Sequence, residues 1–201
     1  MPRIIGLTGG IASGKSLISG KLKEWGAMII DADEIARALT GPDSPALREI
    51  RRSFGDEVFN ADGTLSRKKL GTMVFNSVEA RNRLNGLLHP LVQTEIKRQL
   101  AENKEKDWPL LVIDAPLLLE AGLEKMTDEV WVVALDEQEQ VRRLMARDAL
   151  TREEASRRLA AQMPLKEKLQ YADRIIDNNG SMEETLEILK NLWLEVVNQA
   201  G

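Results

Sequence analysis

The ten residues Leu7-Thr8-Gly9-Gly10-Ile11-Ala12-Ser13-Gly14-Lys15-Ser16 constrain the fold more than any other stretch. They follow the apolar run Ile4-Ile5-Gly6-Leu7 and precede a segment, 14–25, that carries Ile18, Leu22 and Trp25 at helical spacing. Glycines between a strand and a helix let the backbone wrap an anion closely, with its N–H groups pointing inward. The start of the helix adds unpaired donors and the positive end of its dipole. The pattern is G-x-x-x-x-G-K-[ST], set by Gly9, Gly14, Lys15 and Ser16, with Gly10, Ile11, Ala12 and Ser13 completing the cradle. Chance alone produces it in roughly one chain in a hundred of this length, and the flanking strand and helix make chance rarer. Lys15 suits the β- and γ-phosphates of a nucleotide, and the Ser16 hydroxyl suits Mg²⁺. ATP·Mg²⁺ is the expected ligand.

The rest of the chain fits such a loop. Residues 3–8, 27–31, 110–115, 129–135 and 174–178 are nearly continuous apolar runs, the mark of parallel strands covered by helices on both faces. Helical patterns separate them, so an α/β fold with right-handed crossovers is predicted. The second strand is expected beside the first. Ser181 and Glu184 read as a capping box opening a last helix with the stripe Leu186, Leu189, Leu192, Trp193, Val196. Two stretches break the alternation. Residues 35–103 show helical segments interrupted by Gly41-Pro42, Ser44-Pro45, Asp62-Gly63 and His89-Pro90. Residues 140–171 are again helical, with a second capping box at Thr151 and Glu154. Within 142–168 stand Arg142, Arg143, Arg147, Arg152, Arg157, Arg158, Lys166 and Lys168, against Asp148, Glu153, Glu154 and Glu167. A positive segment in a chain of net charge −4 invites an anionic partner.

Carboxylates appear where strands end. Asp31 and Asp33 follow the second strand, at the edge where open α/β sheets bind ligands. One caps the next helix; Asp31 fits the cap, and Asp33 fits a base that takes a proton from a substrate hydroxyl. Asp114 ends the third strand as a carboxylate that holds Mg²⁺ directly or through water. Glu120 is either a substrate contact or a solvated helix charge. His89, the single histidine, is held before Pro90 in an extended conformation and is structural or functional on its residue type alone. Arg143 and Arg147, four apart on one helical face, suit the charge that develops in phosphoryl transfer. Intrahelical pairing on a solvated face suits Arg157 and Arg158 better. Asn178, after the fifth strand, either reads an adenine edge or belongs to a turn.

Composition sets the boundaries. The 201 residues contain no cysteine, which removes disulfides and thiolate metal sites and fits a reducing cytoplasm. No apolar run approaches the roughly 20 residues that cross a bilayer, and the first strand begins too early to leave room for a signal peptide. The negative net charge argues against a nucleic-acid partner.

In order along the chain, T-G-G-I-A-S-G-K-S at 8–16, D-A-D-E-I-A-R at 31–37, His89-Pro90, D-A-P-L-L-L-E at 114–120, R-L-M-A-R-D at 143–148 and I-I-D-N-N-G at 175–180 stand together. This series resembles the dephospho-coenzyme A kinase family over about residues 3 to 198. The resemblance implies a P-loop NTPase fold with a five-stranded parallel sheet, a helical acceptor-binding insertion and a mobile helical lid. It implies one domain, with core 1–34, 104–138 and 172–201, insertion 35–103 and lid 139–171. It also implies transfer of the ATP γ-phosphoryl group to the ribose 3′-hydroxyl of dephospho-CoA. Asp33 then becomes the base, Lys15, Arg143 and Arg147 contact phosphates, and Asn178 and Gly180 join the ATP site. Thr8, Arg37, His89, Leu118 and Glu120 become acceptor-side residues. Ala12 and Leu17 depart from the glycine and threonine usual in the family without removing a ligand. A nucleoside or nucleotide kinase with another acceptor, or a nucleotide-dependent switch protein, are the alternatives. Monomer and small homo-oligomer stay equally open.

Overall fold

A computed structural model describes residues 2–199. Five parallel strands, β1 (Arg3–Gly9), β2 (Met28–Asp31), β3 (Leu110–Asp114), β4 (Glu129–Ala134) and β5 (Arg174–Asp177), form one sheet in the order β2-β3-β1-β4-β5. The helices are α1 (Lys15–Glu24), α2 (Ala32–Leu39), α3 (Pro45–Phe54), α4 (Arg67–Asn76), α5 (Val78–Asn103), α6 (Glu137–Asp148), α7 (Arg152–Ala160), α8 (Leu165–Lys168) and α9 (Met182–Gln199). None of the described helices is long and apolar enough to cross a membrane.

The chain divides into two compact units, Met1–Asp31 with Lys97–Gly201, and Ala32–Ile96. In the first, Ile18 and Leu22 of α1 and Leu189 and Val196 of α9 pack on Ile5, Leu7, Val112, Trp131 and Val133. All of these are buried, each large side chain contributing about 1.5–3 kcal/mol. Trp25 and Trp193, their ring centroids 5.7 Å apart, close the edge of this layer. The second unit has its own core of Ile50, Phe54, Val58, Phe59, Leu70 and Ala80. Ser44 caps α3 by accepting from Leu47 N, with Pro45 in the first turn.

Two expectations are corrected here. β3, not β2, lies beside β1, so that Leu7 faces Asp114 and Asp31 also faces Asp114 in register. Strand neighbours in a parallel sheet are set by crossover connections that leave no local trace in the sequence. His89-Pro90 does not break a helix: α5 runs through it. Proline removes one hydrogen bond, and the remaining rungs of a 26-residue helix carry the chain past it.

Candidate active site

The loop between β1 and α1 is a tight cradle. Ser13 N donates to Gly10 O at 3.0 Å and Leu17 N to Gly14 O at 2.9 Å. Gly14 has φ 95°, in the left-handed region, and a Cβ there would collide with the Asn178 amide. Asn178 is buried, donates Nδ2 to Ser13 O at 2.7 Å and accepts from Thr185 Oγ1 at 3.0 Å. The turn after β5 therefore braces the cradle from behind. Lys15 Nζ is paired with the carboxylate of Asp114, at the end of the neighbouring strand. Both side chains are largely out of water, 14% and 5% exposed, so each charge depends on the other.

Residues 137–168 close over one side of this loop. Ile11 and Ala12 pack against Val141, Leu144 and Ala155. Gln140 is buried, donates Nε2 to Leu135 O at 2.6 Å and lies against Gly10, where a Cβ would strike its Oε1. That oxygen and Ser13 Oγ are buried without a hydrogen-bond partner. Arg143 Nη1 stands 3.9 Å from where a Cβ on Gly14 would be, and its Nε donates to Glu139 Oε1 at 2.8 Å. Glu139 also accepts twice from Arg142 at 2.6 Å, and the two arginines, Arg142 first, pull its pKa down to about 2. Farther along, Gln162 Oε1 accepts from Ile11 N at 2.8 Å. Met163 N donates to Glu120 Oε1 at 2.8 Å. Lys168, wholly buried, donates Nζ to Pro116 O at 2.7 Å and to Glu120 Oε2 at 3.2 Å. Burial pushes the Lys168 pKa down, and Glu120 opposes that shift.

A phosphate cradle backed by a lysine–aspartate pair and flanked by an arginine-bearing helical segment is the equipment of a phosphotransferase. A family profile described as dephospho-CoA kinase matches residues 3–184. The chain belongs to the dephospho-CoA kinase family. A dephospho-CoA kinase of Shouchella clausii is 47% identical over 90% of this chain and 92% of its own length. Another, of Geobacter sulfurreducens, is 47% identical over 94% and 96%. Among solved structures, TT1252 from Thermus thermophilus superposes with a TM-score of 0.78 at 36% identity, covering 96% of this chain and 97% of the other. A dephospho-CoA kinase from Campylobacter jejuni gives 0.73 at 28% identity over 100% of both.

Within this dephospho-CoA kinase family member, Gly9 to Ser16 form the loop as expected from their spacing, and Asp114 joins Lys15 there. Asp33 lies on the exposed first turn of α2, directly after β2, with Arg37 one turn later. His89 is half-buried in the middle of α5. Several residues have other tasks. Thr8 and Leu118 are fully buried, Thr8 Oγ1 donating to Pro116 O at 3.1 Å and Leu118 packing over Gly6, so neither presents a surface to a substrate. Both carboxylate oxygens of Glu120 are engaged by Met163 and Lys168 rather than offered to an acceptor. Asn178 spends its amide on the cradle rather than on a base. Gly180 lines a cleft of about 460 Å³ with Asp177, Glu184 and Glu187. Arg147 donates to Asp148 at 2.8 Å and Arg157 to Glu153 at 3.1 Å, each within its own helix, whereas Arg158 of α7 reaches the same Asp148 of α6 at 2.7 Å, a pair between helices rather than the intrahelical one expected. The Ile11 amide is taken by Gln162.

Gln140, Gln162, Lys168 and Glu139 were missed from the sequence. Lys168 was visible as one more positive charge in the 142–168 segment, but fully buried lysines are too rare for charge alone to reveal one. Glu139 carried a signal, the spacing of three and four residues to Arg142 and Arg143. The two glutamines carried none.

Proposed function

We infer that this protein transfers the γ-phosphoryl group of ATP to the ribose 3′-hydroxyl of dephospho-CoA, giving coenzyme A and ADP in the last step of coenzyme A synthesis. The observation that carries the reading is the cradle of 9–16 with Lys15 set against Asp114, in a chain matched to the family over residues 3–184. ATP seats its phosphates on the main-chain amides of the cradle, and Lys15 exchanges Asp114 for the β- and γ-phosphates. Ser16 and Asp114 would hold Mg²⁺; hydroxyl and carboxylate oxygens suit this hard cation, which keeps water and phosphate as its other ligands. When bound, Mg²⁺ offsets the negative charge on the phosphates. Arg143, already beside Gly14, stabilises the charge that develops on the transferring group. Arg147 reaches it by leaving Asp148.

Asp33 accepts the proton of the 3′-hydroxyl as its oxygen attacks in line, with Arg37 and His89 on the acceptor side. The 139–171 segment acts as the lid that excludes water and prevents loss of ATP to hydrolysis. Gly180 and the turn around it border the adenine. The protein works in the cytoplasm as a monomer or small homo-oligomer, consistent with a chain without cysteine. A coupled ADP-release assay with dephospho-CoA, AMP, other nucleotides and no acceptor tests the reading. Rapid ADP release with dephospho-CoA alone is expected. Equal release with AMP would point to a nucleotide kinase, and release without any acceptor to a switch ATPase.

A further inference from the structure

The Ala32–Ile96 unit contains a cleft of about 610 Å³ at the end of α2 remote from Asp33. The turn from α2 to α3, one side of α3 and the loop before α4 line it, and Arg48, Arg51 and Arg67 meet there opposite Asp43 and Asp62. Some of these charges are already used. Asp62 accepts from Thr64 N at 2.9 Å and Thr64 Oγ1 at 2.6 Å. Arg51 pairs with Asp56 at 3.4 Å and lies over the Phe59 ring at 4.2 Å. Arg48 and Arg67 differ. Arg48 makes one long bond, 3.4 Å, to the Asp43 carbonyl. Arg67 donates Nη2 to Arg37 O at 3.2 Å and to Thr40 Oγ1 at 3.0 Å. No carboxylate among the described residues pairs with either, whereas Arg51, Arg52 and Arg83 of the same unit are all ion-paired. Two exposed guanidinium groups thus keep donors facing a cleft, and a planar fork of donors matches phosphate oxygens.

Helix α2 sets the distance. Asp33, Arg37 and Thr40 recur at four and then three residues and share one face. At the usual rise, Thr40 lies about 10 Å along the axis from Asp33. In an adenosine 5′-diphosphate derivative, the 3′-hydroxyl and the diphosphate are separated by one side of the sugar ring and a methylene, a shorter span, and Arg67, whose Nη2 reaches back along α2 to Arg37 O, makes up the difference. We propose that Arg48 and Arg67 grip the 5′-diphosphate of the acceptor while Asp33 addresses its 3′-hydroxyl. The proposal rests on the kinase reading above and names what selects the acceptor: a diphosphate held farther along α2 than its 3′-hydroxyl.

The test compares wild type, Arg48→Gln and Arg67→Gln in steady-state kinetics, with adenosine as a competitor that lacks phosphates. Each variant should raise KM for dephospho-CoA about tenfold or more, while KM for ATP and inhibition by adenosine stay as in wild type. Because Arg67 also ties α4 to α2, the Arg67→Gln protein is first checked by thermal melting. Should it fold poorly, Arg48→Gln, which removes only a long bond to a carbonyl, decides the question alone. An unchanged KM for dephospho-CoA in Arg48→Gln, or weakened adenosine inhibition in parallel with it, overturns the diphosphate grip while leaving the kinase reading intact. Wild-type protein that does not phosphorylate dephospho-CoA overturns the kinase reading, and the grip with it.

Discussion

Ala12 sits at φ 61°, where an L-residue with a Cβ pays about 1–2 kcal/mol. Glycine there relieves that strain but loosens the unfolded chain by about 0.4–1 kcal/mol. Ala12→Gly should therefore leave the melting temperature equal or slightly higher and keep activity; a clear loss of stability would mean that its methyl packing on the Val141 cluster outweighs the strain. Asp33 carries the heavier demand. As a general base it is worth about 10²–10⁴ in rate, so Asp33→Asn should lower kcat by that factor while calorimetry finds ATP affinity unchanged. Turnover near wild type in this variant would remove Asp33 from the base role. At this scale the sequence was legible where function is written in backbone geometry: Gly14 must adopt φ 95°, and Lys15 must follow it. It was opaque where a side chain is defined by a distant partner. Asn178 braces Ser13 across 165 residues, and nothing next to Asn178 in the sequence says so.

The 137–168 segment is held down at its root by Lys168, Glu120 and Pro116. Lys168→Met strands the Glu120 carboxylate with one donor, Met163 N, and should cost about 3 kcal/mol, read as a fall in thermal stability. Adding Glu120→Gln removes the stranded charge and should restore much of that loss; a double variant no better than the single one would show that the two side chains are not coupled. Glu139 gives a pH prediction. Its carboxyl titrates near 2 in the folded chain rather than at the ordinary 4.5, because Arg142 and Arg143 favour the charged form. Its contribution is thus complete above about pH 4.5 and is lost as pH falls through 2. The stability difference between wild type and Glu139→Gln should be constant above pH 4.5 and shrink between 4.5 and 2, checked by denaturant unfolding across that range. Capping boxes at Thr151 and Ser181 were readable because they are local, with Glu154 and Glu184 closing each box. The continuity of α5 through Pro90 was not, since the remaining rungs of a long helix outweigh one missing bond.

At the scale of the whole molecule, apolar runs located all five strands to within about a residue: the central strands β1, β3 and β4 are almost wholly buried and leave an unbroken hydrophobic signature, and the edge strand β5 keeps its Ile175-Ile176 pair although Ile175 is exposed. Their order was beyond that signal. Placing β3 between β1 and β2 is what brings Asp114 to Lys15, and it follows from crossover topology rather than from any one segment. The same distinction applies to the acceptor side. Positive charge in the 142–168 segment stood out in the sequence, while the arginines of the α2–α4 cleft are scattered over positions 48, 51 and 67 and converge only on folding. The most direct measurement is the structure of the product: ³¹P NMR and mass spectrometry after incubation with ATP, Mg²⁺ and dephospho-CoA. The account predicts one new phosphomonoester on the ribose 3′-oxygen and one ADP per turnover. Phosphate on another position, or inorganic phosphate with the acceptor unchanged, would contradict it.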